Sequence, residues 1–295
     1  MSTSANNIRV GFIGFGEAAF NIAKGLHGEG LANVHAYDSF WNQEPQAGLI
    51  RQRAEEAHVT LASDLKSLIE QVDIVISTVR ASVAVSLAEE SAQWLREGQI
   101  YADLNSAGPI IKEKAAELVA GTGALFVDGA IMGTVPGLGH TVPMLLCGNG
   151  AASFAESLSP YGMKLTVLDG GPGRASASKL LRSVFMKGVV ALLLETVIAG
   201  HKYNLEDDLL DSIAGTFAAG PFLEVVNGLM ARGVIHAERR AGEMEEVISV
   251  LDSLGVDATM SVATREKLVR IAATGYKEHF GGVAPKDFHD IFQVG

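Results

Sequence analysis

The chain has 295 residues, enough for one large or two medium domains with substantial cores. Hydrophobic residues make up 48% and charged residues 19%, which excludes a disordered or fibrous class. The net charge of −11 argues against nucleic acid or an anionic membrane surface as partner, since both need a basic face.

The polar start Met1–Asn7 leads directly into an apolar run and does not read as a signal peptide. Ile8-Arg-Val-Gly-Phe-Ile13 predicts a strand that runs into Gly14-Phe15-Gly16-Glu17-Ala18-Ala19, a glycine turn opening a helix. Gly14 allows the tight turn, Gly16 lets a pyrophosphate approach bare backbone, and Ala19 lets the helix pack close to the sheet. The helix N-terminus offers unpaired N–H groups and partial positive charge to phosphates. The next strand, Val34–Tyr37, ends in Asp38, where a ribose-binding acid is expected. A carboxylate there would repel a 2′-phosphate, so NAD is favoured and NADP remains possible; the nearest following arginines are Arg51 and Arg53.

Further apolar runs follow at 58–61, 73–79, 99–104, 124–128, 142–147 and 163–168, separated by amphipathic helices. One helix begins at Ser63-Asp64 with Ser63 as the expected cap. Runs of this kind predict a parallel sheet covered on both faces, a doubly wound α/β fold over residues 1–169. Thr78, Val79 and Arg80, at the end of the fourth strand, are candidates for contact with a dinucleotide, as are Phe15, Glu17 and Ala18 beside the glycines. Asp169-Gly-Gly-Pro-Gly173 breaks the pattern, and helix-compatible sequence runs from about residue 175 to 202. The remainder is helix-like, so residues 170–295 are expected to form an all-α domain joined through a long helix. Ligands of doubly wound sheets sit beyond the strand carboxyl ends, so the active site is expected between sheet edge and helical domain.

On the long helix Lys179, Ser183 and Lys187 recur at i, i+4 and i+8. Desolvation could make Lys179 a general base, with Ser183 orienting its ammonium or a substrate hydroxyl. The same spacing also fits solvated lysines on an exposed stripe. His236 and Arg240 share a helix face, and Arg239 pairs with Glu243 in the same way. These could clamp an anionic substrate end or form a surface ion-pair lattice. The apolar segment 188–200 is too short to span a bilayer and carries Glu195. Cys147 is the single cysteine and reads as buried; it excludes an internal disulfide or cysteine cluster, and the eight histidines show no HxxxH pairing, so no metal is expected.

Four segments in order resemble the 6-phosphogluconate dehydrogenase/3-hydroxyisobutyrate dehydrogenase superfamily of β-hydroxyacid dehydrogenases. Its opening G-x-I-G-x-G-x-M-G is matched by Gly11-Phe-Ile-Gly14-Phe-Gly16-Glu-Ala18. Its D-x-S-T-x-x-P is similar to Asp103-Leu-Asn105-Ser106-Ala-Gly108-Pro109. Its D-A-P-V-S-G-G loop falls on Asp128-Gly-Ala-Ile-Met132-Gly133-Thr134, and its G-x-G-x-x-x-K-x-x-x-N helix on Gly171-Pro-Gly173 through Lys179 to Ser183. The resemblance implies a Rossmann domain, an NAD(P) cofactor, oxidation of a β-hydroxy acid, and Lys179 as the catalytic acid/base. Asn105 and Ser183 would assist it. Ser106, Met132, Gly133, Thr134 and Arg240 would contact substrate.

This chain departs from the pattern at Met132, where the family has a serine, at Thr134 for glycine, and at Ser183 for asparagine. The helical Lys-Asp pair of the short-chain members is absent, which is similar to the branch whose C-terminal domain has no settled function. The expectation is therefore a cytoplasmic NAD-dependent hydroxy-acid dehydrogenase, homodimeric through its helical domain. The alternatives are an imine reductase on the same architecture, which should prefer NADPH and lack a lysine at position 179, and a non-catalytic NAD-sensing protein.

Overall fold

In the computed structural model, which describes residues 8–294, the apolar runs form eight strands of one sheet. They are β1 (Val10–Ile13), β2 (Val34–Tyr37), β3 (Thr60–Leu61), β4 (Ile74–Ser77), β5 (Ile100–Asp103), β6 (Leu125–Ile131), β7 (Met144–Cys147) and β8 (Leu165–Val167). Their order is β3-β2-β1-β4-β5-β6-β7-β8. All neighbours are parallel except β6 and β7, which pair antiparallel, Asp128 opposite Cys147 and Ile131 opposite Met144. The expected parallel sheet is thus corrected only at the β6–β7 pair. The connection from β6 to β7 holds only two short helical turns, Val135–Leu138 and Gly139–Thr141, and an antiparallel neighbour needs no crossover helix. An apolar run records burial but not direction.

Seven helices belong with the sheet: α1 (Glu17–Gly28), α2 (Gln46–Glu56), α3 (Leu65–Gln71), α4 (Ala84–Ala92), α5 (Pro109–Ala120), α6 (Val135–Leu138) and α7 (Ala151–Leu158). Residue alternation along the strands feeds two cores. Phe12, Val34, Ile74 and Ile76 pack with Ile22, Leu26 and Phe154 on one face, while Ile13, Val75 and Tyr101 pack with Leu68, Ile69 and Val119 on the other. Each fully buried Ile, Leu or Phe among them contributes roughly 1.5–3 kcal/mol. In α1 the buried set is Ala19, Ile22, Ala23 and Leu26, the i, i+3, i+4, i+7 spacing of one helix face. The cap of α3 is Asp64, not Ser63. Asp64 Oδ1 accepts the Ser67 N–H at 2.7 Å, and the Ser63 hydroxyl instead donates to the same carboxylate. α5 opens on Pro109, a residue suited to the first helical position.

The predicted long helix is α8 (Arg174–His201). Compact units divide within it, at Ser183/Val184. The sheet ends near the predicted 169/170 boundary, but the first unit continues because the start of α8 is bonded to β6 and β7. Asp128 Oδ2 accepts N–H groups from Gly173 and Ser176, each at 3.1 Å, and the Ala175 N–H points at Cys147 Sγ, 3.2 Å away.

The second unit contains the distal part of α8 with α9 (Glu206–Phe217), α10 (Phe222–Ile235), α11 (Ala237–Ser253) and α12 (Thr259–Ala272). Leu251, Val256 and Ala258 form its small core with Ala199, Ile248 and Leu254. Glu195 caps α12: its carboxylate accepts the N–H groups of Met260 and Ser261 and the Ser261 hydroxyl at 2.6–2.9 Å. By length and composition the whole of α8 is long and apolar enough to cross a bilayer, unlike the shorter apolar segment read from the sequence.

Candidate active site

Backbone geometry builds the cofactor side. Gly14 has φ +83°, and a Cβ there would stand 2.8 Å from Val79 Cγ1 and 2.9 Å from the Thr78 carbonyl oxygen. Only glycine fits both the conformation and the space. A Cβ on Gly16 would meet nothing within 4 Å. That open side faces outward at the N-terminus of α1, the geometry a pyrophosphate requires.

Around this turn lies a cavity of about 650 Å³. Its lining includes Gly14, Gly16, Asp38, Thr78, Arg80 and Glu90. All the residues expected to bind the cofactor line it except Phe15, whose side chain is fully buried and whose backbone N–H donates to Asp38. Tyr37, also in the lining, has its phenol pushed up by burial and by the carboxylates of Glu90, Asp38 and Asp64. Arg51 is paired with Glu44 at 2.5 Å and Arg53 lies over the Phe20 ring, so neither lines the cavity. The residues fit an adenine dinucleotide: an open glycine turn, free helix N–H groups, and a carboxylate where the ribose hydroxyls would lie.

Two polar side chains expected near ligand are used as braces. Thr78 Oγ1 donates to the Gly14 carbonyl at 2.8 Å, fixing the turn. Asn105 is buried; its Oδ1 accepts the Val79 N–H at 2.5 Å and its amide donates to Ser77 Oγ at 3.0 Å. Asn105 thereby ties the end of β5 to the loop that lines the cavity, with its side chain occupied by protein.

Lys179 stands in the second turn of α8, half-buried, and its ammonium donates to Ser106 Oγ at 2.9 Å. Burial lowers the affinity of Lys179 for its proton, and the charge of Lys112 lowers it further. The stretch from Gly173 to Lys179 is longer than in the family's pattern. Ser183 does not reach the ammonium. Its hydroxyl donates to the Lys179 carbonyl of its own helix at 3.0 Å. Lys187 is exposed further along the helix.

Met132 is partly buried against Ala130, Cys147 and Ala175, a core position, whereas Gly133 and Thr134 are exposed at the start of the loop to β7. Cys147 is fully buried, its thiol pushed up chiefly by burial. In the second unit Arg239 pairs with Glu243, both largely exposed, and Arg240 lies with its guanidinium over Gly233. The structure thus brings together Lys179 and Ser106 on one side, and Gly14, Gly16, Asp38 and the 78–80 loop on the other.

Sequence reasoning missed Lys112 and gave Asp103 and Asp128 no role beyond opening their motifs. The two aspartates face each other in register, Asp103 at the end of β5 and Asp128 in the middle of β6, and the Lys112 ammonium lies 3.0 and 3.3 Å from their oxygens. Two acids in consecutive apolar runs, with Lys112 and Lys114 on the helix between, were the available signal.

A Rossmann sheet with an open glycine turn, a ribose-side carboxylate and a desolvated lysine defines an NAD-binding dehydrogenase-type protein. The comparisons agree. Residues 9–165 match the NAD binding domain of 6-phosphogluconate dehydrogenase, and residues 200–271 match a domain of unknown function (DUF1932). The chain belongs to the 6-phosphogluconate dehydrogenase-like family with that C-terminal domain. It is 25% identical over 299 residues to mitochondrial 3-hydroxyisobutyrate dehydrogenase of Homo sapiens, covering 98% of this chain and 87% of that one. A solved structure of a conserved protein of unknown function, MTH1747, similar to 3-hydroxyacid dehydrogenases, is 33% identical with a TM-score of 0.61, covering 94% and 100%. An imine reductase from Aspergillus terreus, solved with NADPH4 and a dibenzazepine, shares the fold at 19% identity and a TM-score of 0.73, covering 97% and 100%.

Proposed function

We propose that the protein is an NAD-dependent dehydrogenase of β-hydroxy acids, with Lys179 as the proton acceptor. The observation that carries this reading is the half-buried Lys179 ammonium bonded to Ser106, with its proton affinity lowered by burial. A lysine so placed is available as a neutral amine at a pH where a solvated lysine is not. Bound in the glycine-turn cavity, NAD would supply a hydride acceptor at its nicotinamide C4. The chain's own residues do the rest. Lys179 would take the hydroxyl proton as the carbinol C–H bond breaks and its hydrogen passes, with the bonding pair, to the bound cofactor, converting C–OH to C=O. Ser106 holds the lysine, and its hydroxyl can turn to the substrate oxygen. Gly133 and Thr134 are assigned to the anionic end of the substrate.

NAD is preferred over NADP in this reading because Asp38 and Glu90 line the adenosine side, while Arg51 and Arg53 are engaged elsewhere. The likeness to the imine reductase supports the shared fold; Asp38 and Lys179 speak for the hydroxyl chemistry. The deciding experiment follows NADH and NADPH appearance across β-hydroxy acids, sugar acids and their phosphates, with Lys179→Ala as control. Turnover that needs NAD and Lys179 supports the reading. Tight NAD binding without turnover of any hydroxy acid would favour a sensor instead.

We also propose a homodimer. Leu181, Val184, Phe185, Val190 and Leu194 along α8 are each more than half exposed in the single chain. An apolar strip of this extent needs a cover.

A further inference from the structure

Lys112 has no exposed surface and sits on α5 with its ammonium against two buried carboxylates. It donates to the Asp103 carbonyl at 2.5 Å and to Asp103 Oδ1 at 3.0 Å, with Asp128 Oδ1 at 3.3 Å. Asp103 Oδ1 also accepts the Asn105 N–H at 2.8 Å, at the root of the loop that carries Ser106. Asp128 spends its other oxygen on α8, accepting the Gly173 and Ser176 N–H groups and lying 3.4 Å from Cys147 Sγ. One ammonium therefore joins the two segments that meet in the Lys179–Ser106 hydrogen bond. The loop side is held through Asp103 and the helix side through Asp128. A buried charge with this many partners is fixed in place, because leaving any of them unpaired is costly.

We propose that Lys112 is a positioning residue for Lys179: clamped between Asp103 and Asp128, it sets both the geometry and the charge around the working lysine. This rests on the reading of Lys179 as the proton acceptor. Ser106 faces Lys179 from the loop after β5, and Lys112 lies beyond on α5 with Asp103 and Asp128 behind. Glu113 and Cys147 adjoin the start of α8, and Arg182 and Lys187 share that helix. Lys112 brings positive charge and discourages protonation of Lys179; Asp128, 3.3 Å from that Lys112 ammonium, carries the opposite charge.

The signs of these effects give the test. Protein labelled with ¹³C at lysine Cε is titrated by NMR, and Lys179→Met identifies the Lys179 signal. Lys112→Met should raise the Lys179 midpoint by about half a pH unit or more, and Asp128→Asn should lower it by a similar amount. Lys112→Arg, which keeps the charge, should stay within about 0.2 of the parent. If Lys112→Met does not fold, Asp128→Asn and Lys112→Arg decide alone. A midpoint unmoved by Asp128→Asn, or moved the same way by Asp128→Asn and Lys112→Met, overturns the proposal. The titration needs no substrate, so the two readings can fail separately. Opposite shifts without turnover of any hydroxy acid would sink the dehydrogenase assignment alone; Lys179-dependent turnover without the shifts would sink only the role of Lys112.

Discussion

The Asp38 carboxylate is bonded to the turn it stands beside: its Oδ2 accepts the Phe15 N–H at 2.8 Å. Its other oxygen accepts the Phe40 N–H at 2.9 Å, so the acid is oriented from both sides before any ligand arrives. Each oxygen keeps a further lone pair for a ribose hydroxyl.

Replacing Asp38 by glycine removes the ribose acceptor and releases the Phe15 N–H. Affinity for NAD should fall about tenfold or more, and the preference over NADP should narrow. Fluorescence titration with both cofactors measures this. Unaltered NAD affinity would remove Asp38 from the ribose site.

Gly14 and Gly16 should separate folding from binding. Gly14→Ala forces a side chain into a left-handed backbone and against Val79 and Thr78, costing roughly 1–3 kcal/mol or more and lowering Tm. Gly16→Ala meets no protein atom, so Tm should hold while NAD affinity drops. A Gly16→Ala protein that binds NAD as well as the parent would argue against pyrophosphate contact at this turn.

Lys179→Ala should lower turnover by about two orders of magnitude or more and leave NAD binding intact. The active form for oxidation is the neutral amine, so the oxidation rate should rise with pH as Lys179 loses its proton. Burial and Lys112 place that rise below the ordinary lysine value of 10.5. Ketone reduction uses the protonated amine and should fall through the same pH range. A pH–rate profile identical in the parent and in Lys179→Arg would contradict the assignment.

Leu181 and Val184 are 70% and 73% exposed on the single chain. Changing both to glutamate should leave the fold of the first unit intact, read by Tm and NAD binding, and should convert a dimer to monomer in sedimentation velocity. A parent protein that sediments as a monomer at micromolar concentration would reject the dimer.

The parts of the site legible in the sequence are those in which local backbone geometry dictates residue type. Gly14, Gly16 and Asp38 follow from one tight turn and one strand end, and their cavity lies where the turn predicts. For Lys179 the spacing left a solvated lysine equally open; the resemblance singled it out, and its half-buried place against Ser106 shows only in the structure. Less legible was which way polar side chains turn once neighbours are in place. Asn105, Thr78 and Ser183 all bond to protein, since nearby backbone groups need partners. The direction of β7 escaped for a different reason: strand direction is fixed by the connection and not by the residues of the strand. The same holds for Lys112, which in sequence is one more charge on an amphipathic helix and in space is enclosed by partners brought in from β5 and β6.

The loop after β6 has its own anchor, on the flank of α1. His140 is buried so close to Gly25 that a Cβ there would fall 1.9 Å from its Nδ1, and Gly139 abuts the Asn21 carbonyl. The helix that begins at the glycine turn therefore also fixes the far end of the loop that begins with Gly133 and Thr134. Gly25 lies in none of the motifs, yet any side chain there would drive His140 out and shift that loop. An inventory of essential glycines drawn up from the turn alone would pass over it, and a random-mutagenesis screen of α1 should recover position 25 alongside Gly14 and Gly16.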